Sequence, residues 1–449
     1  MIRRAPDDSD LAGKEVVVLG LGAHGGGAAT ARFCVEHGAR VCVTDLRSAA
    51  ELDASLRTLD GLDIRYVLGR HDPDDIERAD IVVKNPAVRR TAAILARASR
   101  IETDISLFLK RHRGPVVAVT GTKGKSTTAS AIHHVVRGTW PGAKLGGNIT
   151  VSPLSFADAV WADAAAAADT PVILELSSFQ LGDLQMTPRP AAGYPFAVSV
   201  VTNLRPDHQD YYDSMDAYAS DKATIFADQR PTDFVVIAGD DEYCTRFSPR
   251  FADRTIRLPH PSYDQASLVG LCATQAPHAL RNLYTAGVVA RLLGVPADVI
   301  PARLADFPGV PHRLERVAVR NDIVFVNDSA ATIQEATLAA LDSFTDPVHL
   351  IAGGSDKGLA LDRFAEVASR VTSMHLLDGT ATERIVRTLG DGSRGYTGPH
   401  RSLERAVRAA VAVARPGDVV LLSPGCASFG MFRNEFDRGD QFRTIVYDL

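Results

Sequence analysis

The chain has 449 residues, 45% hydrophobic and 23% charged, and its 49 basic and 54 acidic residues give a formal charge of −5. That is the balance of an ordinary globular protein, and at roughly 100–200 residues per domain the length allows two to four domains. The absence of a polybasic run argues against nucleic acid as a partner. No stretch approaches about 18 uninterrupted apolar residues, and Met1–Asp10 lacks the apolar segment of a secretory signal, so a cytoplasmic protein without membrane insertion is expected. Cys34, Cys42, Cys244, Cys272 and Cys426 are odd in number and form no CxxC pair, which argues against a disulfide framework and a thiolate zinc site.

In chain order, the first expected strand, Glu15–Leu19, runs into Gly20-Leu-Gly-Ala-His-Gly25, a helical stretch, and a second strand, Arg40–Thr44, that leads to Asp45. This is a dinucleotide fingerprint: glycines let the backbone approach a pyrophosphate, and an acidic residue about 20 positions on meets ribose hydroxyls. Taken alone it proposes a dehydrogenase. A third strand is expected at Ile81–Val83, and the charged stretch Lys110–Pro115 reads as a linker before a new strand, Val116–Val119.

That strand enters Gly121-Thr-Lys-Gly-Lys-Ser-Thr127, followed by a helix from Ser126 to His134. A glycine turn between strand and helix aims backbone N–H groups at one spot, where the helix dipole also favours negative charge. Lys125 would reach terminal phosphates, and the hydroxyl of Ser126 or Thr127 would hold Mg²⁺. Val119 stands where the full GxxxxGK[ST] pattern has its first glycine. With one nucleotide site supplied here, the N-terminal fingerprint fits a diphosphate-linked substrate better than NAD.

Downstream, the alanine run Trp161–Asp169 reads as a surface helix, and Val172–Leu174 as a strand that ends on Glu175. His208 follows in Asn203-Leu-Arg-Pro-Asp-His. A carboxylate and an imidazole beyond strand ends could hold a second Mg²⁺, but Glu175 could equally cap a helix and His208 could be a solvated loop residue. Lys222, in the helical stretch Ala217–Phe226, reads by itself as a surface lysine. A strand at Phe234–Ile237 and a second boundary near Phe307–His312 precede a new series at Ile323–Val326, His349–Ala352, Met374–Leu377 and Val419–Leu422. These are too many strands for one compact sheet, so three α/β domains with mainly parallel sheets are expected, over residues 1–112, 113–310 and 311–449.

Taken together, the glycine fingerprint, Thr120–Thr128, Gly146-Gly-Asn148, Glu175–Leu181, Asn203–His208, Pro311–Glu315, Asn327–Thr332, Gly353–Lys357 and Leu422–Phe429 resemble the Mur ligases over nearly the whole chain. The resemblance implies a Rossmann-like N-terminal domain for a UDP moiety, a central ATPase domain, and a Rossmann-like C-terminal domain that brings in an amino acid and closes over the site about a hinge near Val310. It implies ATP-dependent addition of D-glutamate to UDP-N-acetylmuramoyl-L-alanine through an acyl phosphate by a monomer, with two Mg²⁺ ions.

By the same resemblance, Lys125, Glu175, His208 and Lys222 are catalytic. Ser126, Glu175, His208 and Lys222, the last as a carbamate, hold metal. Gly121, Thr122, Lys123, Gly124, Lys125, Ser126, Thr127, Asn282, Arg313 and Asp328 contact ATP. Gly22, Ala23, His24, Asp45, Leu46, Asn85 and Asn148 contact the UDP substrate, and Thr332, Lys357, Ser428 and Phe429 the amino acid. Against the family pattern, Lys123 and Ala279 each replace an asparagine, Asn85-Pro-Ala87 replaces Ser-Pro-Gly, Ala330 replaces a lysine and Glu435 an aromatic or similar residue. The last two keep open a relative that adds L-glutamate or another acidic amino acid.

Overall fold

The computed structural model describes residues 11–22, 25–149, 151–162, 169–208, 211–259, 277–356, 358, 361–390, 396–428 and 430–449, with the side chains of 277–279 excepted. Ala23, His24, Lys357 and Phe429, the centre of the alanine run, Cys272 and the side chain of Ala279 lie outside the described residues.

The chain forms two compact units, Met1–Phe307 and Pro308–Leu449. The first carries two parallel sheets. Strands β1 (Glu15–Leu19), β2 (Arg40–Asp45), β3 (Ile64–Leu68), β4 (Ile81–Lys84) and β5 (Ile101–Glu102) lie in the order β3-β2-β1-β4-β5. Strands β6 (Val116–Thr120), β7 (Lys144–Gly147), β8 (Val172–Glu175), β9 (Val198–Val201), β10 (Phe234–Ile237) and β11 (Thr255–Arg257) lie in the order β11-β10-β9-β6-β8-β7. The second unit holds β12 (Glu315–Arg320), β13 (Ile323–Asn327), β14 (Val348–Gly353), β15 (Ser373–Leu377), β16 (Tyr396–His400) and β17 (Val419–Leu422), ordered β12-β13-β17-β14-β15-β16. Among these strands of the described residues, β12 and β13 alone pair antiparallel.

Every residue of β4, β6, β8, β9 and β17 is buried. Their continuous β-branched runs are what a parallel strand covered on both faces requires. The three α/β sheets expected from the sequence are present. Within the first unit, however, Lys110–Pro115 is no break in packing. One apolar cluster runs from Leu11 through Phe108 to Phe247, and the Phe108 and Trp161 rings stack with centroids 5.7 Å apart. Thr103 starts the helix Asp104–Arg111 with a capping box to Ser106, so Lys110 and Arg111 belong to an ordered helix and His112–Pro115 connect it to β6.

In each sheet the chain leaves a central strand and turns to opposite sides, which opens a crevice at the carboxyl ends. Such topological switch points are where open α/β sheets bind ligands. The first lies beyond β1 and β4, the second beyond β6 flanked by β8 and β9, and the third beyond β17 flanked by β13 and β14.

The first crevice depends on close backbone approach. A Cβ on Gly27 would fall on the Leu21 carbonyl oxygen and 2.6 Å from that of Gly20. Gly27→Ala is therefore expected to destabilise the protein by about 1–3 kcal/mol, the range for overpacking, read as a lowered thermal midpoint. An unchanged midpoint would contradict it.

Candidate active site

The second crevice is built around the turn after β6. Gly121 has φ 141°, and a Cβ there would overlap the Thr202 hydroxyl and meet the Asn203 backbone at 3.1 Å. Gly124 has φ 83° and caps the helix Lys125–Arg137, and a Cβ there would lie 2.5 Å from Asn282 Oδ1. Only glycine fits both the backbone conformation and the space. Asn282 is thereby placed beside the phosphate turn.

The loop after β9 grips this turn. Thr122 N donates to the Asn203 carbonyl at 2.8 Å, Lys123 N to Asn203 Oδ1 at 3.0 Å, and Thr202 Oγ1 to the Lys123 carbonyl at 2.7 Å. Thr202 and Asn203 were not singled out from the sequence. The strand they follow, Val198–Val201, is β-branched apart from Ser199, and that run is the sequence signal that locates them.

Glu175 closes β8, is 2% exposed, and its Oε2 is buried with no hydrogen-bond partner among the described residues. Its Oε1 accepts from Asn148 Nδ2 at 3.0 Å, and its carbonyl from Asn148 N at 2.7 Å. The helix that follows, Ser178–Asp183, is capped by Ser177, so Glu175 is not a helix cap. Asn148 is expected at the UDP substrate, and the structure sets it against Glu175 instead of beside the N-terminal glycine loop.

Lys222 corrects its reading as a surface residue. It is 2% exposed, and Nζ donates to the Gly121 carbonyl at 2.9 Å, 4.7 Å from the Tyr218 ring centroid. The helix Met215–Ala223 turns this face inward against the phosphate turn, where Tyr218 and Thr122 hydroxyls meet at 3.1 Å. Burial, then the Lys125 ammonium, pushes the Lys222 pKa well below the ordinary lysine value. His208 adopts φ 54°, uncommon for a non-glycine residue, and its ring lies 4.8 Å from Phe179 and 6.2 Å from Tyr218. Lys125 Nζ donates to the Thr122 carbonyl at 3.0 Å.

No three His, Cys, Asp or Glu side chains among the described residues are grouped closely enough to hold a metal by themselves. Any cation here would need oxygens from a ligand as well. The unpaired Glu175 oxygen fits that chemistry, because a buried carboxylate oxygen without a donor favours a cation.

In the first crevice Gly22 N donates to Asp45 Oδ2 at 3.1 Å, and the Asn85 side chain lies against Gly20 and Gly22. Burial alone would raise the Asp45 pKa, but hydrogen bonds from Arg47 and Gly22 N outweigh it and hold the carboxyl below its ordinary value. Leu46 beside it is 68% exposed, an apolar surface at the mouth of the crevice.

In the second unit, the loops after β13, β14 and β17 enclose a cavity of about 280 Å³ lined by Thr332, Glu335, Ser355, Asp356 and Gly425 among others. Ser428 is buried just beyond it. Arg438, fully buried, ties two of these loops together: Nε donates to Ser329 Oγ at 2.9 Å and Nη1 to the Cys426 carbonyl at 3.3 Å. Exposed Arg313 stands between His312 at φ 62° and Leu314 at φ 46°. Two left-handed non-glycine residues flanking a single position mark backbone strain of the kind functional sites retain. Asp328 is buried nearby, with Oδ1 accepting from Leu314 N at 3.1 Å and Oδ2 from Ser423 Oγ at 2.7 Å.

A glycine phosphate turn with a buried lysine beneath it and a carboxylate oxygen left open beside it defines a nucleotide-dependent enzyme of the phosphate-loop class. Family models narrow this: the Mur ligase MurD-like N-terminal domain matches residues 14–106, the Mur ligase middle domain 119–268, and the Mur ligase glutamate ligase domain 312–426. The chain belongs to the Mur ligase family. It is 41% identical to the UDP-N-acetylmuramoylalanine--D-glutamate ligase of Roseiflexus sp. (strain RS-1), over 97% of this chain and 99% of that one. It is 40% identical to the enzyme of the same name from Borreliella afzelii (strain PKo), over 96% and 97%. The solved UDP-N-acetylmuramate-alanine ligase MurC of Thermotoga maritima has the same fold, with a TM-score of 0.61 at 19% identity, covering 97% of this chain and 99% of that one.

Burial pushes the Asp328 carboxyl up to about 7, against the opposing pull of the Ser423 hydroxyl, Leu314 N and Arg313. A folded value raised above the unfolded one means that the native state holds the proton more tightly. Between roughly pH 4 and 7, stability should then fall as pH rises, by at most about 1.4 kcal/mol per unit for one group. Asp328→Asn should flatten that slope in denaturant titrations at pH 5 and 7, and an unaltered slope would refute the assignment.

Proposed function

We propose that this chain is an ATP-dependent ligase that adds D-glutamate to UDP-N-acetylmuramoyl-L-alanine in peptidoglycan precursor synthesis. The observation that carries the reading is the open, buried oxygen of Glu175 beside a phosphate turn underlain by Lys222. Curated relatives from 34% to 41% identical carry the name UDP-N-acetylmuramoylalanine--D-glutamate ligase, so the L-glutamate alternative is not favoured.

An amide cannot form from a carboxylate at neutral pH unless hydroxide is replaced by a better leaving group. The substrate carboxylate would attack the γ-phosphorus of ATP, release ADP and become an acyl phosphate. The glutamate amine would then attack the acyl carbon and expel phosphate. The turn Gly121–Thr127 and Lys125 would hold the ATP phosphates, with Asn282, Arg313 and Asp328 contacting the nucleotide. Ser126, Glu175, His208 and carbamylated Lys222 would hold two Mg²⁺ ions, which supply charge neutralisation at the transferring phosphoryl group when bound.

Gly22, Ala23, His24, Asp45, Leu46 and Asn85 would bind the UDP portion, and Asn148 the acceptor end of the same substrate, which its place against Glu175 suits. Thr332, Lys357, Ser428 and Phe429 would bind the amino acid. Positioning supplies most of the rate enhancement in such a reaction. No helix among the described residues is long and apolar enough to cross a membrane, and small-molecule substrates suffice as partners.

Phosphate release from ATP and Mg²⁺ with UDP-N-acetylmuramoyl-L-alanine is expected with D-glutamate and not with L-glutamate or without amino acid. Release that ignores the amino acid supplied would sink the reading.

Burial and the Lys125 ammonium push the Lys222 pKa well below the ordinary lysine value, which raises the share of the neutral amine, the form that adds CO₂. Protein equilibrated with ¹³C-bicarbonate should show a carbamate carbon resonance that Lys222→Ala removes. The same spectrum from both proteins would exclude the modification.

A further inference from the structure

Two ion pairs in the first unit have no part in the reaction proposed above, and they flank one turn. Lys84 ends β4, and its side chain is 0% exposed. Its Nζ lies 2.6 Å from Asp183 Oδ2 and donates to the Asn85 carbonyl at 3.3 Å. Asp183 is the last residue of the helix Ser178–Asp183, which begins just beyond Glu175.

Six residues after Lys84, Arg90 pairs with Asp221, the neighbour of Lys222. Asp221 Oδ2 also accepts from Tyr212 OH at 2.9 Å, and Arg90 N approaches Tyr211 OH at 3.4 Å. The second pair packs against Gly182, the chain neighbour of Asp183, where a Cβ would stand 2.5 Å from Asp221 Oδ2 and 2.7 Å from Arg90 Nη1. Here glycine is required by space alone.

Buried ion pairs seldom stabilise a fold more than apolar residues of the same volume, because desolvation offsets the attraction. What they supply is direction, since a charge pair with fixed hydrogen bonds admits one register where an apolar contact admits several. Both pairs cross from the first sheet's domain to helices of the second. One holds the start of the turn to the helix that follows Glu175, and the other holds its end to the helix that carries Lys222.

We propose that Lys84 and Arg90 are positioning residues that clamp the turn Asn85–Arg89 at both ends. The clamp keeps the side of the site that receives the UDP-linked acceptor in register with Glu175 and Lys222. This deepens the function proposed above and rests on it for the identity of the acceptor. The clamp itself rests on geometry alone.

The test compares wild type with Arg90→Lys, Arg90→Ala and Lys84→Met. In amide hydrogen exchange, Arg90→Ala should speed exchange across residues 85–92 and 215–223 by about tenfold or more, while 125–137 stays within about twofold. In steady-state kinetics it should raise KM for UDP-N-acetylmuramoyl-L-alanine about tenfold and leave KM for D-glutamate within about twofold. Arg90→Lys, which keeps the charge and loses the planar fork, should fall between wild type and Arg90→Ala. Exchange at 85–92 within about twofold of wild type in both Arg90→Ala and Lys84→Met would overturn the clamp. So would an equal rise in both KM values, which marks general damage. If wild type shows no turnover with this acceptor, the functional reading fails, and the exchange measurement still decides the clamp.

Discussion

The site depends on a buried lysine that has no carboxylate within ion-pair distance among the described residues. Among the described residues Lys222 makes no ion pair, and its hydrogen bonds go to a backbone carbonyl and, at 3.5 Å, to the Thr120 hydroxyl. An ammonium in such a place is expensive to keep charged, and the pKa falls accordingly. The surroundings follow from that constraint. The helix Met215–Ala223 must bring its inward face against the phosphate turn, Gly121 must lack a side chain so that Thr202 can close over it, and Tyr218 must offer its ring face. The carbamylation proposed for Lys222 would relieve that cost, because it would turn an ammonium into an anion.

The same architectural solution occurs three times. Each sheet places a glycine-bearing loop at the point where strand order reverses, and each such loop collects polar groups that are individually unremarkable. In the first, Asp45 is held ready by a backbone N–H and Arg47. In the second, Glu175 keeps one oxygen open. In the third, buried Arg438 fastens the loops after β13 and β17 to each other. The crevices come from topology, whereas their chemistry comes from a few side chains at strand ends.

That division explains what could be read in advance. Strands buried on both faces declare themselves as β-branched runs, and Glu15–Leu19, Phe234–Ile237 and Val419–Leu422 match their expected limits. Edge strands do not. Glu315–Arg320 is largely exposed and charged, Tyr396–His400 contains Pro399, and Lys144–Gly147 ends in two glycines, so none carries the signature of a covered strand. The phosphate turn was legible because its glycines have a mechanism attached. The burial of Lys222 was not, because a short amphipathic helix shows which residues share a face but not which face meets the turn. The clamp was equally hidden, since Lys84 and Asp183 are 99 residues apart and only the packing of two sheets brings them together.

Two departures from the family pattern bear on the amino acid, and the structure gives each a physical reading. Ala330 stands where a lysine is usual, and its N–H donates to the His312 carbonyl at 3.0 Å, a bond that any residue but proline makes. Glu435 opens the last helix, Glu435–Tyr447, and its carbonyl accepts from Ser329 Oγ at 2.7 Å. Both positions therefore reach the loop through their backbones, and the Glu435 carboxylate also favours the charged form of buried Arg438. The loop's conformation is fixed instead by Arg438 on Ser329 and by Asn327, whose Nδ2 donates to the Gly439 carbonyl at 3.2 Å. On the placement of the amino acid proposed above, its enantiomer preference would be set by groups that line the cavity, Thr332 and Ser355 among them, and Ala330 is not one of these.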